Sequence, residues 1–275
     1  MFKPETPPDP IVVQVIDLMD AALQAKVSAQ TPRQYLGASA IGGECERQLA
    51  YSFHQAPKDE GSGFRGNTLR MFDMGHDGEA RMADYIRLAG FTLQTHTEDG
   101  RQIGISDAEG KFKGHLDGVI HAGPKIAGLK YPCLWENKAL GSKTFSDFKR
   151  NGLKSFKPTY YAQVQIYMGY HGLESCLFTA LNRDSGEVWI EVVKFNARDC
   201  QDYIDRAVRI IKSASPEELG KAGKGADDFK CKFCDYKKRC HGGEESKPAP
   251  ITTPSGDAPS WFRPSTNGPA NTAGW

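Results

Sequence analysis

The sequence has no long uninterrupted run of apolar residues, almost no net charge and no phosphate-binding loop. No stretch approaches the roughly 18 consecutive apolar residues that a membrane-spanning helix needs, so we expect no membrane span. Residues 11–23 are apolar, but Asp17 and Asp20 interrupt them and no basic segment precedes them, which argues against a secretory signal. We therefore expect a cytoplasmic protein.

The net charge of only +1 over 275 residues means that any surface for nucleic acid must be a local basic patch. A G-x-x-x-x-G-K-[ST] motif for nucleotide phosphates is absent. Gly61-x-Gly63-x-x-Gly66 matches a dinucleotide-binding pattern only formally, because it follows Pro-Lys-Asp-Glu instead of a buried strand. We interpret these glycines as part of a mobile loop at residues 54–67.

Hydrophobic periodicity predicts helices and strands in an order that is typical of a mixed α/β domain with layered helices and sheet. The first helix has apolar positions 12, 15, 16, 19 and 23 on one stripe, and Asn196 is a suitable N-cap for the last helix. The expected helices cover residues 11–25, 73–89, 159–171 and 196–213, and the expected strands cover 91–96, 101–106, 111–121, 131–138, 175–182 and 187–195.

Composition divides the chain into three parts. Residues 1–10 contain four prolines and are expected to form a flexible arm. Residues 11–240 are long enough to bury a core of their own and are expected to form a single domain. Residues 241–275 are rich in Pro, Gly, Ser, Thr and Asn, a composition that predicts a disordered tail.

The triplet Glu136-Asn137-Lys138 follows the strand-like run Tyr131-Pro-Cys-Leu-Trp. Side chains two residues apart in a strand point to the same face, so Glu136 and Lys138 should lie side by side. Asp117 lies in another extended segment, Gly-His-Leu-Asp-Gly. Two carboxylates and an ammonium group that converge on a sheet edge predict a site for a hard divalent cation and a water molecule. Such a site is suited to the hydrolysis of phosphodiesters.

Three further residues could support these carboxylates. Glu79 lies on the apolar stripe of a predicted helix, where a carboxylate is costly unless a metal ion neutralises it; alternatively it lies at the margin of the stripe and reaches water. Gln163 and Tyr167 are four residues apart and share a helix face. They could bind phosphate or orient a catalytic lysine, although Tyr167 could also be a half-buried aromatic residue.

The seven cysteines form an odd number, which favours reduced thiols or metal ligation over disulfides. Cys231, Cys234 and Cys240 follow a Cys-x2-Cys-x5-Cys pattern that could hold an iron–sulfur cluster or zinc. Cys45, which opens a helix beside two glycines, is the best candidate for the fourth ligand, and His241 could replace it in a zinc site. The alternative is that these are unligated surface thiols. The other cysteines are expected to pack as small apolar residues, namely Cys133, Cys176 and Cys200.

Together these motifs resemble the RecB-like branch of the PD-(D/E)XK nuclease superfamily, especially Cas4-type and phage-type exonucleases with a four-cysteine iron–sulfur cluster. The resemblance covers about residues 36–240, and the motifs follow the order of the family. It implies a restriction-endonuclease-like fold, in which a mixed β-sheet is flanked by helices and a cysteine cluster joins the N- and C-terminal parts. It also implies a DNA exonuclease that needs Mg²⁺ or Mn²⁺ and carries a [4Fe-4S] cluster, with structural Zn²⁺ as the alternative.

The resemblance assigns a role to each motif. Gly75-x-x-x-Glu79 corresponds to the first motif, in which Glu79 or His76 binds metal, and Asp117 corresponds to the second-motif aspartate. Glu136-x-Lys138 corresponds to the (D/E)xK pair, beside the Asn137 carbonyl as a further metal ligand. The implied catalytic residues are Glu79, Asp117, Glu136, Lys138, Gln163 and Tyr167, and the implied cluster ligands are Cys45, Cys231, Cys234 and Cys240.

A basic stretch interleaved with aromatic residues is the expected DNA contact, because cations track phosphates and rings can stack on unpaired bases. The alternative is a solvated helix and loop. The expected DNA-binding residues are Lys143, Lys149, Arg150, Lys154, Lys157 and Tyr160, and the accompanying rings are Phe145, Phe148 and Phe156.

The expected function is therefore ATP-independent hydrolysis of phosphodiester bonds at the ends of single-stranded or duplex DNA, in recombination, repair or phage DNA processing. An enzyme of this kind could also borrow a motor from a partner. The tail segment Trp261-Phe262 could recruit a recombination, annealing or single-strand-binding partner. The alternative function is a non-catalytic adaptor for DNA binding or recombination, stabilised by a cluster or by zinc.

Overall fold

The computed structural model describes residues 9–242, in which helices and strands alternate. The helices are α1 Pro10–Ser28, α2 Glu46–Phe53, α3 Gly66–Leu88, α4 Ser142–Phe156, α5 Pro158–His171, α6 Ala197–Lys212 and α7 Lys237–His241. The strands are β1 Leu36–Gly37, β2 Thr92–Gln94, β3 Gly104–Asp107, β4 Phe112–His115, β5 Gly118–Ala122, β6 Cys133–Leu140, β7 Ser175–Asn182 and β8 Val188–Lys194.

The larger sheet has five strands in the order β2-β5-β6-β7-β8, and it is mixed because β6 and β7 are parallel while the other pairs are antiparallel. The parallel pair is joined by a crossover through α4 and α5, since parallel strands cannot be linked by a tight turn. A second sheet has the order β1-β4-β3. The prediction of a mixed β-sheet core flanked by helices is confirmed.

Helices cover both faces of the larger sheet. On one face, α4 and α5 enclose the larger core, in which Leu134, Phe148 and Phe178 are fully buried. On the other face, α3 places Met82 and Ile86 over Trp135. Because complete burial of one large apolar side chain is worth about 1.5–3 kcal/mol, these two layers hold β6 firmly between them.

Several elements differ from the predicted pattern. The expected strand 111–121 is divided into β4 and β5, which belong to different sheets, with Leu116 and Asp117 between them. Glycine at position 118 lets β5 lie close to β2, because a Cβ there would be only 2.7 Å from the Gln94 carbonyl oxygen. Helix α3 begins at Gly66 and includes the end of the expected loop 54–67.

The N-cap prediction is confirmed, since the Asn196 side chain accepts a hydrogen bond from the Asp199 amide.

Helix α1 forms as expected, but no other element of the described chain buries its apolar stripe. The helix contains no buried residue, and its apolar side chains remain exposed, including Leu18 at 72%. Polar contacts hold it against α3, through the Asp20–Arg70 ion pair and a hydrogen bond from Gln24 to the Phe64 carbonyl. Its apolar pattern therefore identified a helix without identifying a contact to the core.

No helix within residues 9–242 combines the length and apolar character needed to cross a membrane. Most of the expected N-terminal arm and of the expected tail, including Trp261-Phe262, lies outside the described residues. The first helix begins at Pro10 and the last described helix ends at His241.

Gly114 allows β4 to approach Tyr167. A Cβ at this position would lie 2.6 Å from Cε1 and 2.7 Å from the hydroxyl oxygen of Tyr167, which is only 1% exposed and cannot move aside. We expect Gly114→Ala to lower the free energy of unfolding by about 1–3 kcal/mol, as measured by denaturant titration. Gly75→Ala is the matched control in α3, where the added methyl meets open space and should raise stability by up to about 1 kcal/mol. Equal effects of the two substitutions would contradict this packing.

Candidate active site

Strand β6 extends beyond the end of its neighbour β5. The β5 pairing covers Cys133 to Trp135, whereas the β7 pairing on the other side continues to Leu140. From Glu136 onward, one edge of β6 is therefore free of a β5 partner. Beside this edge, α3 and the start of β5 border a cleft that Asp117 and Trp135 help to line.

Asp117 lies at the entrance to β5 and occupies this free edge. Its Oδ2 accepts a hydrogen bond of 2.8 Å from the backbone amide of Asn137, which has no strand partner on that side. Asp117 is buried, with only 8% of its surface exposed. The backbone of β6 thus fixes the Asp117 carboxylate beside Glu136.

Glu136 is completely buried, and two donors share one of its oxygens. The Lys138 ammonium and the Gln163 side chain both donate to Oε1, the latter at 2.7 Å. The other oxygen, Oε2, is buried without a hydrogen-bond partner among the described residues. A buried carboxylate needs compensation for lost hydration, so Lys138 is the main source of stabilisation for this charge.

Glu79 reaches the same cleft from α3, and it is half-buried instead of fully solvated. The cleft is also lined by His76, Asp117 and Trp135. Burial raises the pKa of Glu79 to about 7, with a further contribution from the negative charge of Asp117. The structure therefore brings the three sequence-distant acids together, at residues 79, 117 and 136.

Burial and mutual repulsion make the acids reluctant to ionise. Desolvation, followed by the charge of Asp117, raises the pKa of Glu136 to about 8. Desolvation also raises the pKa of Asp117, against the opposing effects of Lys138 and the Asn137 amide. Burial alone would lower the pKa of Lys138, but the charges of Glu136 and Asp117 outweigh it and raise that pKa. Lys138 therefore remains an ammonium group at neutral pH.

Helix α5 supports the site from the core side. Gln163 bonds directly to Glu136, and Tyr167 lies one turn further along, almost fully buried. Burial and the nearby Glu136 charge raise the pKa of the Tyr167 hydroxyl, which keeps it neutral. The two residues share a helix face as expected, but their surroundings are a packed core, in which they hold Glu136 and β4 in position.

The polar side of the cleft contains residues that sequence reasoning missed. Arg87 on α3 donates to the Thr95 hydroxyl at 3.1 Å, and Thr95 bonds to His96 at 3.0 Å. With Gln102 these groups extend the cleft away from the acids. They come from three separate segments and match no spacing pattern, so only the fold could identify them.

Within residues 9–242, no three side chains of His, Cys, Asp or Glu are arranged to hold a metal ion. The acids are instead bonded to protein donors, Glu136 to Lys138 and Gln163, and Asp117 to Asn137. The residues nevertheless fit a hard cation in two respects. Their donor atoms are carboxylate oxygens, and the Oε2 of Glu136 is buried and unpaired within the described part of the chain.

The four predicted cluster cysteines line one small cavity, where α2 meets the segment that leads into α7. Cys45, Cys231, Cys234 and Cys240 all face it, together with His241. Burial raises the pKa of Cys234 and of Cys240. The Nε2 of His241 lies 3.5 Å from the Sγ of Cys231. In contrast, the other three cysteines are buried elsewhere, at Cys133, Cys176 and Cys200.

Hydrogen bonds tie α2 to the C-terminal segment beside this cavity. Arg47 donates to the carbonyls of Leu219 at 2.9 Å and Glu217 at 2.6 Å, and Tyr51 donates to the Glu217 carboxylate at 2.9 Å. Asp59 accepts a hydrogen bond of 2.6 Å from the Lys238 amide. Asp59 thereby anchors the loop that was expected to be mobile.

Most cations of the predicted DNA-binding stretch are paired with acids. Lys149 lies 2.6 Å from Glu187 and Lys154 lies 2.7 Å from Asp199, while Arg150 pairs with its neighbour Asp147. Two of these acids are distant in sequence, so the pairing could not be read from the stretch itself. Exposed pairs of this kind are worth at most about 1 kcal/mol. Lys143 has no ion pair within the described part of the chain.

The aromatic part of that stretch is corrected in two places. Phe145 and Phe148 are 2% and 0% exposed, so the expectation that they stack on bases is wrong. Their helix turns them into the core against β7. Tyr160 remains accessible, and the ammonium groups of Lys138 and Lys157 lie 5.2 Å and 6.0 Å from its ring centre. Tyr160 therefore connects the basic surface with the acidic site.

No protein-family model and no curated protein sequence shows significant similarity to this chain. Solved structures that resemble it include the alkaline exonuclease from Laribacter hongkongensis, alone and in complex with dAMP, at 14% and 15% identity. Both comparisons cover 71% of this chain and 90% of the exonuclease, with a TM-score of 0.46. SSO0001 is 14% identical over 89% of this chain and 99% of its own, also with a TM-score of 0.46. At this level of similarity, no property is transferred to this chain.

The raised pKa values predict a dependence of stability on pH. Glu79 and Glu136 have pKa values of about 7 and about 8, higher than in the unfolded chain. The folded state therefore binds these protons more tightly, and the free energy of unfolding of metal-free protein should fall as the pH rises through 7 and 8. Mn²⁺ or Mg²⁺ should reverse the loss at alkaline pH, by about 2.7 kcal/mol at 100 times its dissociation constant. Thermal unfolding at pH 6 and pH 9, with metal and with EDTA, measures both effects.

Two conservative substitutions provide the controls for this measurement. Glu136→Gln removes the buried charge and should weaken both the pH dependence and the stabilisation by metal. Glu174→Gln makes the same chemical change at an exposed ion pair with Lys130 and should alter neither. Equal stabilisation by metal in both variants would place the cation elsewhere.

Proposed function

We propose that this protein is a metal-dependent DNA nuclease whose centre consists of Glu79, Asp117, Glu136 and Lys138. The observation that carries the proposal is the convergence of three acids from separate elements beside a charged lysine at the free edge of β6. The resemblance of the motifs to phage-type and Cas4-type exonucleases favours ATP-independent action at DNA ends. The intact Glu136–Lys138 pair argues against a non-catalytic adaptor.

Three carboxylates would hold the cation, with the Asn137 carbonyl and His76 as the further candidates. When bound, Mg²⁺ or Mn²⁺ lowers the pKa of water and offsets charge on the leaving oxygen. Bound cation would lower the pKa values of the three acids and release their protons to solvent, since the raised pKa values reflect burial and mutual repulsion that a cation relieves.

Lys138 would orient the attacking water or stabilise the negative charge that develops on the phosphate. Its ammonium group is held by Glu136 on one side and faces the ring of Tyr160 on the other. Gln163 positions Glu136 through its hydrogen bond, and Tyr167 packs against Gly114 behind it. Gln163 and Tyr167 would therefore be positioning residues that hold Glu136 and β4 in place, because neither lines the cleft.

DNA would reach the centre across the surface that carries Lys143, Lys157 and Tyr160. The ring of Tyr160 lies next to Lys138, so a base stacked on it would place its phosphate close to the acids. The paired cations Lys149, Arg150 and Lys154 would exchange their carboxylate partners for phosphates.

We also propose that Cys45, Cys231, Cys234 and Cys240 hold a [4Fe-4S] cluster, or Zn²⁺ with His241 as an alternative ligand. The convergence of four thiols from both ends of the described chain on one cavity supports this assignment. Thiolates suit both groups. A bound metal would lock α2 to the C-terminal segment that already bonds to Arg47 and Tyr51.

Removal of the proposed catalytic groups should abolish DNA cleavage and spare DNA binding. We expect Lys138→Ala to reduce cleavage by about 10²–10³-fold or more, since a charged group that stabilises the transition state is lost. Glu136→Gln should have a similar effect. End-labelled single- and double-stranded substrates, with Mg²⁺, Mn²⁺ or EDTA, give the rate and distinguish digestion from ends from internal cleavage.

Lys130→Ala and Glu174→Gln are the matched controls for cleavage, because they disrupt an ion pair of the same residue types that is about 80% exposed and distant from the cleft. Both should retain wild-type rates. Cleavage that persists in Lys138→Ala, or that is indifferent to EDTA, would refute the assignment.

The cluster assignment predicts bound metal in the purified protein. Iron with brown colour and absorbance at roughly 400 nm would identify an iron–sulfur cluster, whereas colourless protein with zinc would identify the alternative. Cys234→Ala should lose the metal and stability together. Cys200→Ala removes a thiol buried in α6 and should retain the metal. Wild-type protein without iron or zinc would contradict the assignment.

A further inference from the structure

Strand β8 forms an edge of the larger sheet, and it is neither short nor interrupted by a bulge. The opposite edge, β2, has only three residues and contains an irregularity between Thr92 and Leu93. Strand β8 has seven residues and pairs regularly with β7 along its whole length. Short length and bulges discourage pairing with another strand, whereas a long regular edge invites it.

The backbone groups that face outward from β8 can be identified from its pairing with β7. Phe195 donates its amide to Glu174, and Glu187 accepts at its carbonyl from Asn182, so odd-numbered residues bond to β7. In an antiparallel pair the bonded residues alternate. The amides and carbonyls of Val188, Ile190 and Val192 therefore point away from the sheet. They have no partner strand among residues 9–242.

The same three residues carry exposed β-branched side chains on one face. Val188, Ile190 and Val192 are 41%, 47% and 41% exposed. The stretch of outward backbone groups without a hydrogen-bond partner strand ends on both sides of these residues. On one side the Lys194 carbonyl accepts from the Gln165 side chain, and on the other the Gly186 amide donates to the Asn182 carbonyl. The outward edge is thus a three-residue segment centred on Ile190.

We propose that β8 pairs antiparallel with β8 of a second copy of this chain, with Ile190 opposite Ile190 of the partner subunit. A segment that is symmetric about its centre is complementary to itself under two-fold rotation, which is the geometry of an isologous dimer. This register brings Val188 opposite Val192 of the partner subunit, and it uses all three outward residues of each copy. The two larger sheets become one continuous sheet.

Charge selects the same register. A shift by two residues in one direction would place Glu191 opposite Glu191 of the partner subunit, and the shift in the other direction would place Glu187 opposite Glu191. Like charges directly opposite each other destabilise a strand pair, and both shifts also leave outward residues unpaired. In the proposed register Trp189 lies opposite Glu191 of the partner subunit.

The ends of the proposed pair also complement each other. Lys194 makes no ion pair within the described part of the chain. In this register it lies opposite Gly186 of the partner subunit, in the turn that carries the carboxylates of Asp184 and Glu187.

The proposed dimer does not depend on the nuclease assignment, because β8 takes no part in the acidic centre.

Sedimentation velocity of the full chain over a range of concentrations tests the proposal. We expect the wild type to form a concentration-dependent dimer, and Ile190→Lys to raise its dissociation constant at least tenfold through two opposed ammonium groups. Ile126→Lys is the matched control, because Ile126 is 46% exposed in a loop outside β8 and its substitution should leave the dimer intact. Wild-type protein that stays monomeric throughout would overturn the proposal.

The register itself is tested by mixing variants. Ile190→Glu should also be monomeric, and an equimolar mixture with Ile190→Lys should restore the dimer, because lysine then faces glutamate across the two-fold axis. Val188→Lys provides a second disrupting variant if Ile190→Lys does not fold, as judged by circular dichroism. Failure of the mixture to associate, or a dimer unaffected by both lysine substitutions, would overturn the pairing.

Discussion

The completely buried carboxylate of Glu136 determines the arrangement of the residues around it. A charge at this depth is tolerated only with a charged partner and hydrogen bonds, which Lys138 and Gln163 supply. These requirements fix the face of β6, the rotation of α5 and the position of β4, since Tyr167 on α5 packs against Gly114. The proposed chemistry therefore depends on an unfavourable burial that the rest of the domain compensates.

The unequal lengths of the strands leave a free edge beside this carboxylate. Because β5 begins only beside Trp135 while β6 continues to Leu140, β6 belongs to the sheet core in its first half and forms the polar edge of the site in its second half. Asp117 occupies the position where a β5 residue would otherwise pair, and α3 brings Glu79 from the opposite face. A rigid strand held between two cores thus presents its polar residues at a defined place.

Local patterns predicted much of this arrangement, because strand alternation and helix periodicity require no knowledge of distant contacts. They placed Glu136 beside Lys138, Gln163 on the face of Tyr167, and Asn196 at a helix start. Long-range contacts escaped them: the pairing of Lys149 with Glu187, the burial of Phe145, and the hydrogen bond from Arg87 to Thr95. The exposed apolar stripe of α1 shows a second limit of local patterns. Helical periodicity identifies an apolar face but does not tell whether another element packs against it.

The hydrogen bonds from Arg47 and Tyr51 to residues 217–219 have a consequence for biosynthesis. Protein synthesis is vectorial, and domains fold in units as they emerge from the ribosome. Helix α2 emerges early, yet its guanidinium and phenol groups find their partners only when translation has passed residue 219. Helix α2 must therefore wait for almost the entire domain before it can complete these contacts.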